Sequence, residues 1–469
     1  MTTSGGSRGE ARQDGRVLGI AILASFVAFL DSSIVNVALP AIRDELGGGL
    51  AGQQWVVNAY LVTLGALILV AGSMSDQFGR LRTLRLGLAG FLVTSLAVAA
   101  APTLELLIAA RAVQGVAGAL LVPSSLALIT SHFDEQGRGR AIGAWTAATS
   151  AAMLVAPLLG GLFIDLASWR WAFAINVLPI AAAFLLLAGL RARDVRRADA
   201  RVDLVASACC ALGLGGIVFA LIEGPERGWA DPLVAAVGCA GAVLFAVFVW
   251  GQRRPRASLM PLVLFRAGNF RAGNLATLFV YAALALNGFA VVVYLQQGAG
   301  LGATLAGLAT LPMTVVMMLG SARVGAWAGR RGPRLFMALG PAIMAVGATL
   351  LLTVSAAFDY WLQVLPGVLL MGVGLTLTVS PLTSAVLGAV DPERSGVASA
   401  VNNAVARVAG LLAIAVLALI AGGDLDLEGF HRTAIATAVL FAAGSTVSWI
   451  GIRNTARTSR GTTNRPPAR

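Results

Sequence analysis

The chain has 469 residues, 58% of them hydrophobic and only 12% charged, with a mean hydropathy of +0.83. Soluble domains carry about 25% charged residues, so this composition excludes an ordinary soluble protein and points to a polytopic membrane protein. Every one of the 34 basic residues is arginine, against 22 acids, for a net charge of +12; the lack of lysine reads as the codon bias of a high-GC genome.

In chain order, apolar windows long enough to cross a bilayer, about 20 residues each, lie at 17–39, 54–74, 84–101, 104–130, 141–164, 171–190, 204–222, 232–250, 272–295, 303–327, 335–355, 361–387, 396–421 and 433–452. The first is longer than the apolar core of a signal peptide and runs into a polar, proline-ended segment, so it is expected to be retained as a span. Fourteen spans put both tails on one side. Twenty-seven arginines fall on that side, and only Arg43, Arg170, Arg227 and Arg432 fall in the opposite loops. The positive-inside rule then places both termini in the cytoplasm and explains the positive charge without nucleic acid. Loops are short throughout, and no soluble domain is expected between spans.

Two internal echoes indicate a duplication. GSMSDQFGRLR (Gly72 to Arg82), after the second span, aligns with GAWAGRRGPR (Gly325 to Arg334), after the tenth, setting Gly79 against Gly332 and Asp76 against Gly329. DEQGRGRAIG (Asp134 to Gly143), before the fifth span, pairs with DPERSGVAS (Asp391 to Ser399), before the thirteenth. Both offsets are eight spans. The expected fold is therefore an all-α polytopic membrane protein of fourteen transmembrane helices, two six-helix bundles with a two-helix insert. Residues 1–16 would be an N-terminal tail, 17–190 the first bundle, 191–256 a cytoplasmic loop and the insert, 257–452 the second bundle and 453–469 a C-terminal tail.

Several motifs resemble the major facilitator superfamily, in particular its fourteen-span drug:proton antiporter branch. LDSSIVNVALP (Leu30 to Pro40) is similar to that branch's first-helix signature and GSMSDQFGRLR to the superfamily's loop between helices two and three. LIAARAVQGVAGA (Leu107 to Ala119) resembles the fourth-helix signature, APLLGG (Ala156 to Gly161) the fifth-helix antiporter signature, and WRWAFAINVLP (Trp169 to Pro179) the start of helix six. The chain departs from the fifth-helix pattern in carrying Ala152 and Ala156 where glycine is usual, and its second-half loop lacks the acid that Asp76 supplies. The resemblance implies a gating loop formed by Gly72, Asp76, Gly79 and Arg80, and an antiport-biasing bend at Pro157, Gly160 and Gly161. An ordinary turn and a plain proline kink are the structural alternatives.

The residues themselves point to proton coupling. A charged side chain in hydrocarbon costs from about 3 to more than 10 kcal/mol, so it persists only beside a partner or a cavity. Asp31 stands eight residues before Leu39, about 12 Å from that end, and Arg111 seven residues after Leu104, about 10 Å. The two buried charges share a depth. Burial disfavours an ionised carboxylate and a guanidinium favours it, so relative movement of the two would switch an acid between proton-holding and proton-free forms. Asp31 is the expected protonation site and Arg111 its modulator; a fixed pair orienting helices one and four is the alternative. Asn36, Asn58, Gln114, Trp145, Asn287, Asn403 and Arg407 are candidate cavity residues, each with packing as its alternative. Glu223, at the outer end of the seventh span, reads as interfacial rather than as a second proton site.

With two histidines, His132 and His431, and no Gly-rich, Lys-containing phosphate loop, the chain offers no metal-hydrolase constellation and no nucleotide engine. Cys209, Cys210 and Cys239 lie in apolar runs without metal or disulfide spacing. The expectation is a transporter, not an enzyme, with no metal and no cofactor, driven by the proton gradient. Its partners would be an amphipathic small molecule, protons and the lipid bilayer, without nucleic acid, and the protein would be a monomer in the cell (inner or plasma) membrane. With Asp31 and Glu223 the only acids in or at the edge of spans, dicationic substrates are expected to be disfavoured against neutral, monocationic or anionic ones. Two alternatives stand beside multidrug or antibiotic efflux: a dedicated exporter of one endogenous metabolite, and a transport-dead sensor or scaffold.

Overall fold

A computed structural model of the chain describes residues 4–190, 203–253, 260–391 and 394–454, and among them there is no strand. Thirteen helical stretches are long and apolar enough to cross a membrane. The 30-residue helix α2 (Gly49–Phe78) occupies the place of the remaining span, the second. The first half comprises α1 (Ser4–Leu46), α2, α3 (Arg80–Ala99), α4 (Leu104–His132), α5 (Glu135–Leu166) and a sixth span in two pieces, α6 (Trp169–Ala174) and α7 (Val177–Ala188). The insert is a hairpin of α8 (Leu204–Arg227) and α9 (Pro232–Gly251). The second half holds α10 (Gly268–Gln297), α11 (Ala303–Ala309) continued by α12 (Leu311–Arg331), α13 (Arg334–Leu350), α14 (Leu365–Leu387), α15 (Ser395–Ala415) continued by α16 (Leu417–Ala421), and α17 (Leu427–Gly451). This is the expected arrangement of two six-helix bundles around a two-helix insert. The boundaries expected at 190/191 and 256/257 adjoin or fall in stretches outside the described residues.

Side-chain caps mark several helix starts: Asp134 accepts from the amide of Gly137 (2.8 Å), Asp203 from Ala206 (2.8 Å) and Asp426 from Gly429 (2.8 Å), each satisfying one orphan donor of a first turn. The glycine pair aligned in sequence has matching roles. Gly79 ends α2 at φ 104° and Gly332 ends α12 at φ 88°, each donating its N–H to the carbonyl four residues back. Positive φ is open to glycine at little cost and strained for other residues. The first helix differs from expectation by continuing through Pro40 to Leu46.

The apolar core shows how the halves meet. At the end away from the termini one cluster runs across both, from Val35, Leu39, Ile42 and Trp169 to Phe289, Val293, Leu351 and Phe430. At the terminal end the clusters are separate: Val17, Ile20, Leu84 and Leu128 in the first half, Phe270, Met337, Leu382 and Val401 in the second. Hydrogen bonds between halves follow the same division. Arg43 donates to Gln297 Oε1 (2.8 Å), Gln296 to the Val37 carbonyl (3.2 Å), and the Ala303 and Thr304 amides to Asp165 (2.9 Å each). Gln54 donates to the carbonyls of Ile414 and, at 3.2 Å, Ala415, where α15 breaks into α16. Among the described residues the halves are thus joined away from the termini and stand apart at the terminal face.

The tightest part of that junction is the crossing of α5 on α11. A Cβ added at Gly161 would lie 2.4 Å from Thr304 Cα and 2.6 Å from its nitrogen, and one at Gly307 2.7 Å from the Pro157 carbonyl oxygen. On its other side, a Cβ at Gly160 would meet Ile34 of α1 at 2.4 Å. Backbone meets backbone here, as small residues allow in membranes. Asp165, one turn beyond Gly161, caps the start of α11, so Pro157, Gly161 and Asp165 form one continuous stripe on the seam. We therefore expect Gly161→Val to force the halves apart. Cysteines placed at Arg43 and Gln297, with the native cysteines changed to serine, should cross-link efficiently in the wild-type background and lose most of that yield in Gly161→Val.

Candidate functional site: a buried ion pair in the first bundle

Asp31 on α1 and Arg111 on α4 are both withdrawn from solvent, and Arg111 Nη1 donates to Asp31 Oδ2 at 2.5 Å. The other carboxylate oxygen, Oδ1, accepts from Gln114 Nε2 and Asn176 Nδ2, each at 3.2 Å. Gln114 Oε1 in turn accepts from Arg111 Nη1 at 2.7 Å. Gln114 and Asn176 both also donate to Ser95 Oγ, at 3.0 and 3.2 Å. Arg111 Nε donates to the Val56 carbonyl at 3.2 Å, and the guanidinium carbon lies 4.4 Å from the centre of the Tyr60 ring and 5.7 Å from that of Phe173. The network therefore ties α1, α2, α3, α4 and the α6–α7 junction around one acid and one base. Both charges are hydrogen-bonded as well as paired, which burial at this depth requires.

Local sequence explains why Asn176 reaches the pair. Pro179 has no N–H for the Ile175 carbonyl and its ring would clash there, so the sixth span breaks. The Ile175 carbonyl instead accepts from Leu178 at 3.1 Å, a tighter turn, and Asn176 sits at the break with its side chain free to turn inward. The preceding residues fix the span's start. Trp169 Nε1 and Arg170 Nη2 donate to Glu45 at the end of α1 (2.6 and 2.7 Å), and Arg170 Nη1 donates to the carbonyls of Ala99 and Ala101 (2.9 and 2.7 Å). The WRWAFAINVLP motif is thus a clamp on α1 and α3 followed by a donor to Asp31. Ser95 and Asn176 are the network residues that the sequence reading missed. The N-x-x-P spacing of Asn176 and Pro179 was the available signal; Ser95 gave none.

The other candidates are dispersed. Gln114 belongs to the enclosed network rather than to a cavity surface, because its carboxamide bridges Arg111 and Asp31. Trp145 donates to Ser25 Oγ (2.9 Å), which meets Ser125 Oγ at 2.6 Å, and so joins α5, α1 and α4 as a packing contact. Asn36 is half-buried and Asn287 buried. Asn58 is fully enclosed, and neither polar atom of its side chain finds a partner among the described residues. Asn403 is exposed with one bond to the Ser399 carbonyl (3.2 Å), whereas its neighbour Asn402 donates to Asn274 (3.2 Å) and Thr277 (2.7 Å). Arg407 is half-buried. Glu223 accepts from Trp55 (2.9 Å) and Arg227 (2.6 Å). In the loop motif Gly72 has open space around it and Arg80 begins α3; the Asp76 side chain lies outside the described residues. The three cysteines are free, and no cluster with metal-ligand composition occurs among the described residues.

Fourteen spans among the described residues, twelve of them in two bundles and two in an insert, with a charge pair sealed inside the first bundle, define a polytopic membrane carrier. Residues 21–414 match the Major Facilitator Superfamily. The chain is 33% identical over 407 residues to the methylenomycin A resistance protein of Bacillus subtilis, covering 86% of this chain and 87% of that protein. It is 32% identical over 408 residues to the tetracenomycin C resistance and export protein of Streptomyces glaucescens, covering 86% and 75%. In fold it resembles a D-xylose–proton symporter of known structure, with a TM-score of 0.68 at 13% identity over 94% and 98% of the two chains. The chain belongs to the major facilitator superfamily, with antibiotic-resistance transporters among its relatives; it is a multi-pass membrane transporter and not an enzyme.

Removing one partner of a buried pair leaves an uncompensated charge, at a cost of about 3 to 5 kcal/mol. Arg111→Leu is expected to lose stability on that scale, and Asp31→Leu in the same chain to restore much of it. Asn176→Ala should cost less, about 1.5 to 3 kcal/mol for a hydrogen bond to a charged group. Denaturation midpoints of the four proteins in detergent check the order.

Proposed function

We propose that this protein exports amphipathic small molecules, drugs or antibiotics, in exchange for protons by alternating access. The observation that carries the reading is the Asp31–Arg111 pair, held inside the first bundle while the two halves are joined at one end only. An acid in such a place has a function to perform or a helix to orient, and the hydrogen-bond donors around it offer an exchangeable set of partners. When Asp31 takes a proton, Arg111, Gln114 and Asn176 lose their charged acceptor and the ties among α1, α3, α4 and the α6–α7 break loosen. When the proton leaves, the ties re-form. Such a change in helix packing is a means of biasing the seam between α5 and α11.

The arginine distribution supports placing both termini, and the open face with them, in the cytoplasm. On that orientation the substrate enters from the cytoplasm in the conformation described above, and the proton enters from outside when the seam has parted. Residues 17–190 and 257–452 act as the two rocking units, with 191–256 as loop and insert, and the carrier works as a monomer. The energy source is the proton gradient, without a cofactor. A narrower reading, export of a single compound, is supported by the two relatives above, one tied to methylenomycin A and the other to tetracenomycin C.

In proteoliposomes with an imposed pH gradient, Asp31→Asn is expected to abolish gradient-driven dye efflux while retaining dye binding. Undiminished gradient-driven efflux in that variant would falsify Asp31 as the coupling acid and leave it as a structural partner of Arg111.

A further inference from the structure

The charges along the helices between the two faces do not balance. Asp31 and Arg111 neutralise one another, Glu223 is paired with Arg227, and Asp165 caps α11 at the seam. That leaves Arg407 on α15 and Arg323 on α12 with no hydrogen bond or ion pair among the described residues. Arg323 is exposed and stands eight residues from the end of its helix, about 12 Å from that end. Arg407 is half-buried and stands twelve residues beyond Ser395, about 18 Å along α15.

The position of Arg407 is between the halves. A Cβ at Gly65 of α2 would lie 3.6 Å from Arg407 Cβ, so α15 of one half and α2 of the other approach each other at this residue. One turn toward the terminal face, on the same side of α15, Asn403 is exposed. Arg407 therefore sits where a polar strip of α15 runs inward from the open face. On α2, Gln54, Asn58 and Gly65 share the side turned to α15, at positions i, i+4 and i+11. Gln54 and Gly65 both touch α15, and Asn58 between them is fully buried with neither carboxamide atom partnered. Among the described residues Arg407 thus presents an unpaired guanidinium between the two halves, at the inner end of that polar strip.

We propose that Arg407 is an anion subsite of the transport path: it receives a carboxylate, phenolate or sulfonate of the exported amphiphile, so the carrier selects acidic compounds over cationic ones. The inference rests on the efflux reading above and narrows its substrate class. Guanidinium suits this role because it stays charged throughout the physiological range and presents a planar fork to oxyanions. The net positive balance in the path repels a cation at the same place.

The test uses purified full-length protein in detergent and two fluorescent probes, dansylglycine as the anion and ethidium as the cation, with binding read by anisotropy. Wild type is expected to bind dansylglycine, whose one charge at neutral pH is its carboxylate, and to bind its uncharged methyl ester more weakly. Arg407→Gln should weaken the anion about 10-fold or more, the scale of one lost hydrogen bond to a charged group. Arg407→Lys should retain most of the affinity, and ethidium should change less than about 2-fold across the set. The proposal is overturned if wild type binds ethidium and not the anion, if the ester binds as well as the acid, or if Arg407→Gln weakens both probes alike and Arg407→Lys does not rescue. The comparison of acid with ester stands on wild type alone and decides the matter should the glutamine variant fail to fold. Gradient-driven efflux is measured separately in proteoliposomes: anion binding without flux sinks the efflux reading alone, and ethidium flux without anion binding sinks the subsite alone.

Discussion

An acid and a base cannot be separated in the interior of a membrane protein without leaving two uncompensated charges, and the organisation of the first half follows from that constraint. Arg111 reaches Asp31 only if α1 and α4 stay in register, and the remaining lone pairs of the carboxylate must be filled by neutral donors. Gln114 fills one from the same helix as Arg111. Asn176 fills another, and it is available only because Pro179 interrupts the sixth span at the right height. Ser95 then accepts from both amides and brings α3 into the set. The first bundle is thus a single hydrogen-bonded unit whose centre is one titratable group.

The second half has no counterpart to this centre among the described residues. Its polar contacts are local, such as Asn402 with Asn274 and Thr277, and its helices pack through glycines, as where Gly340 meets the Gly374 carbonyl. The two bundles share a glycine-ended loop at Gly79 and Gly332 and differ in chemistry: one encloses a buried acid–base pair, and the other, among the described residues, holds only local polar contacts. The seam where α5 crosses α11 and Gln54 reaches the α15–α16 break is where a change in the first can be felt by the second.

Much of this was legible in the sequence, for physical reasons that can be stated residue by residue. Asp31 and Arg111 stood out because a charge in an apolar run is too costly to be incidental. The spans stood out because the bilayer sets their length, and Gly79 with Gly332 because a repeated turn needs a repeated glycine. Ser95 did not stand out, since a hydroxyl in a membrane helix can bond its own backbone and so carries little information. Trp145 read as a cavity residue because an indole gives no sign of whether its N–H faces a ligand or a neighbouring serine. Prolines were ambiguous in the same way. Pro179 and Pro312 lie at helix breaks, whereas Pro40, Pro123 and Pro157 lie within continuous helices. The outcome depends on whether surrounding groups can tolerate the freed carbonyl, which is a property of the tertiary structure.

The crossing at Gly161 and Gly307 bears on how fast such a seam can part. A junction of interlocked leucines must withdraw each side chain from its socket and reorder rotamers on both surfaces before it opens. At this crossing the contact is between main chains, with two hydrogen bonds to one carboxylate at its rim, so the crossing itself parts without reordering rotamers, although the apolar cluster shared by the halves beside it opens with it. A boundary of this kind resists gradual distortion, because backbone atoms at van der Waals distance cannot compress, yet it releases in one step once the rim is undone. It behaves as a switch with a sharp threshold rather than as a spring.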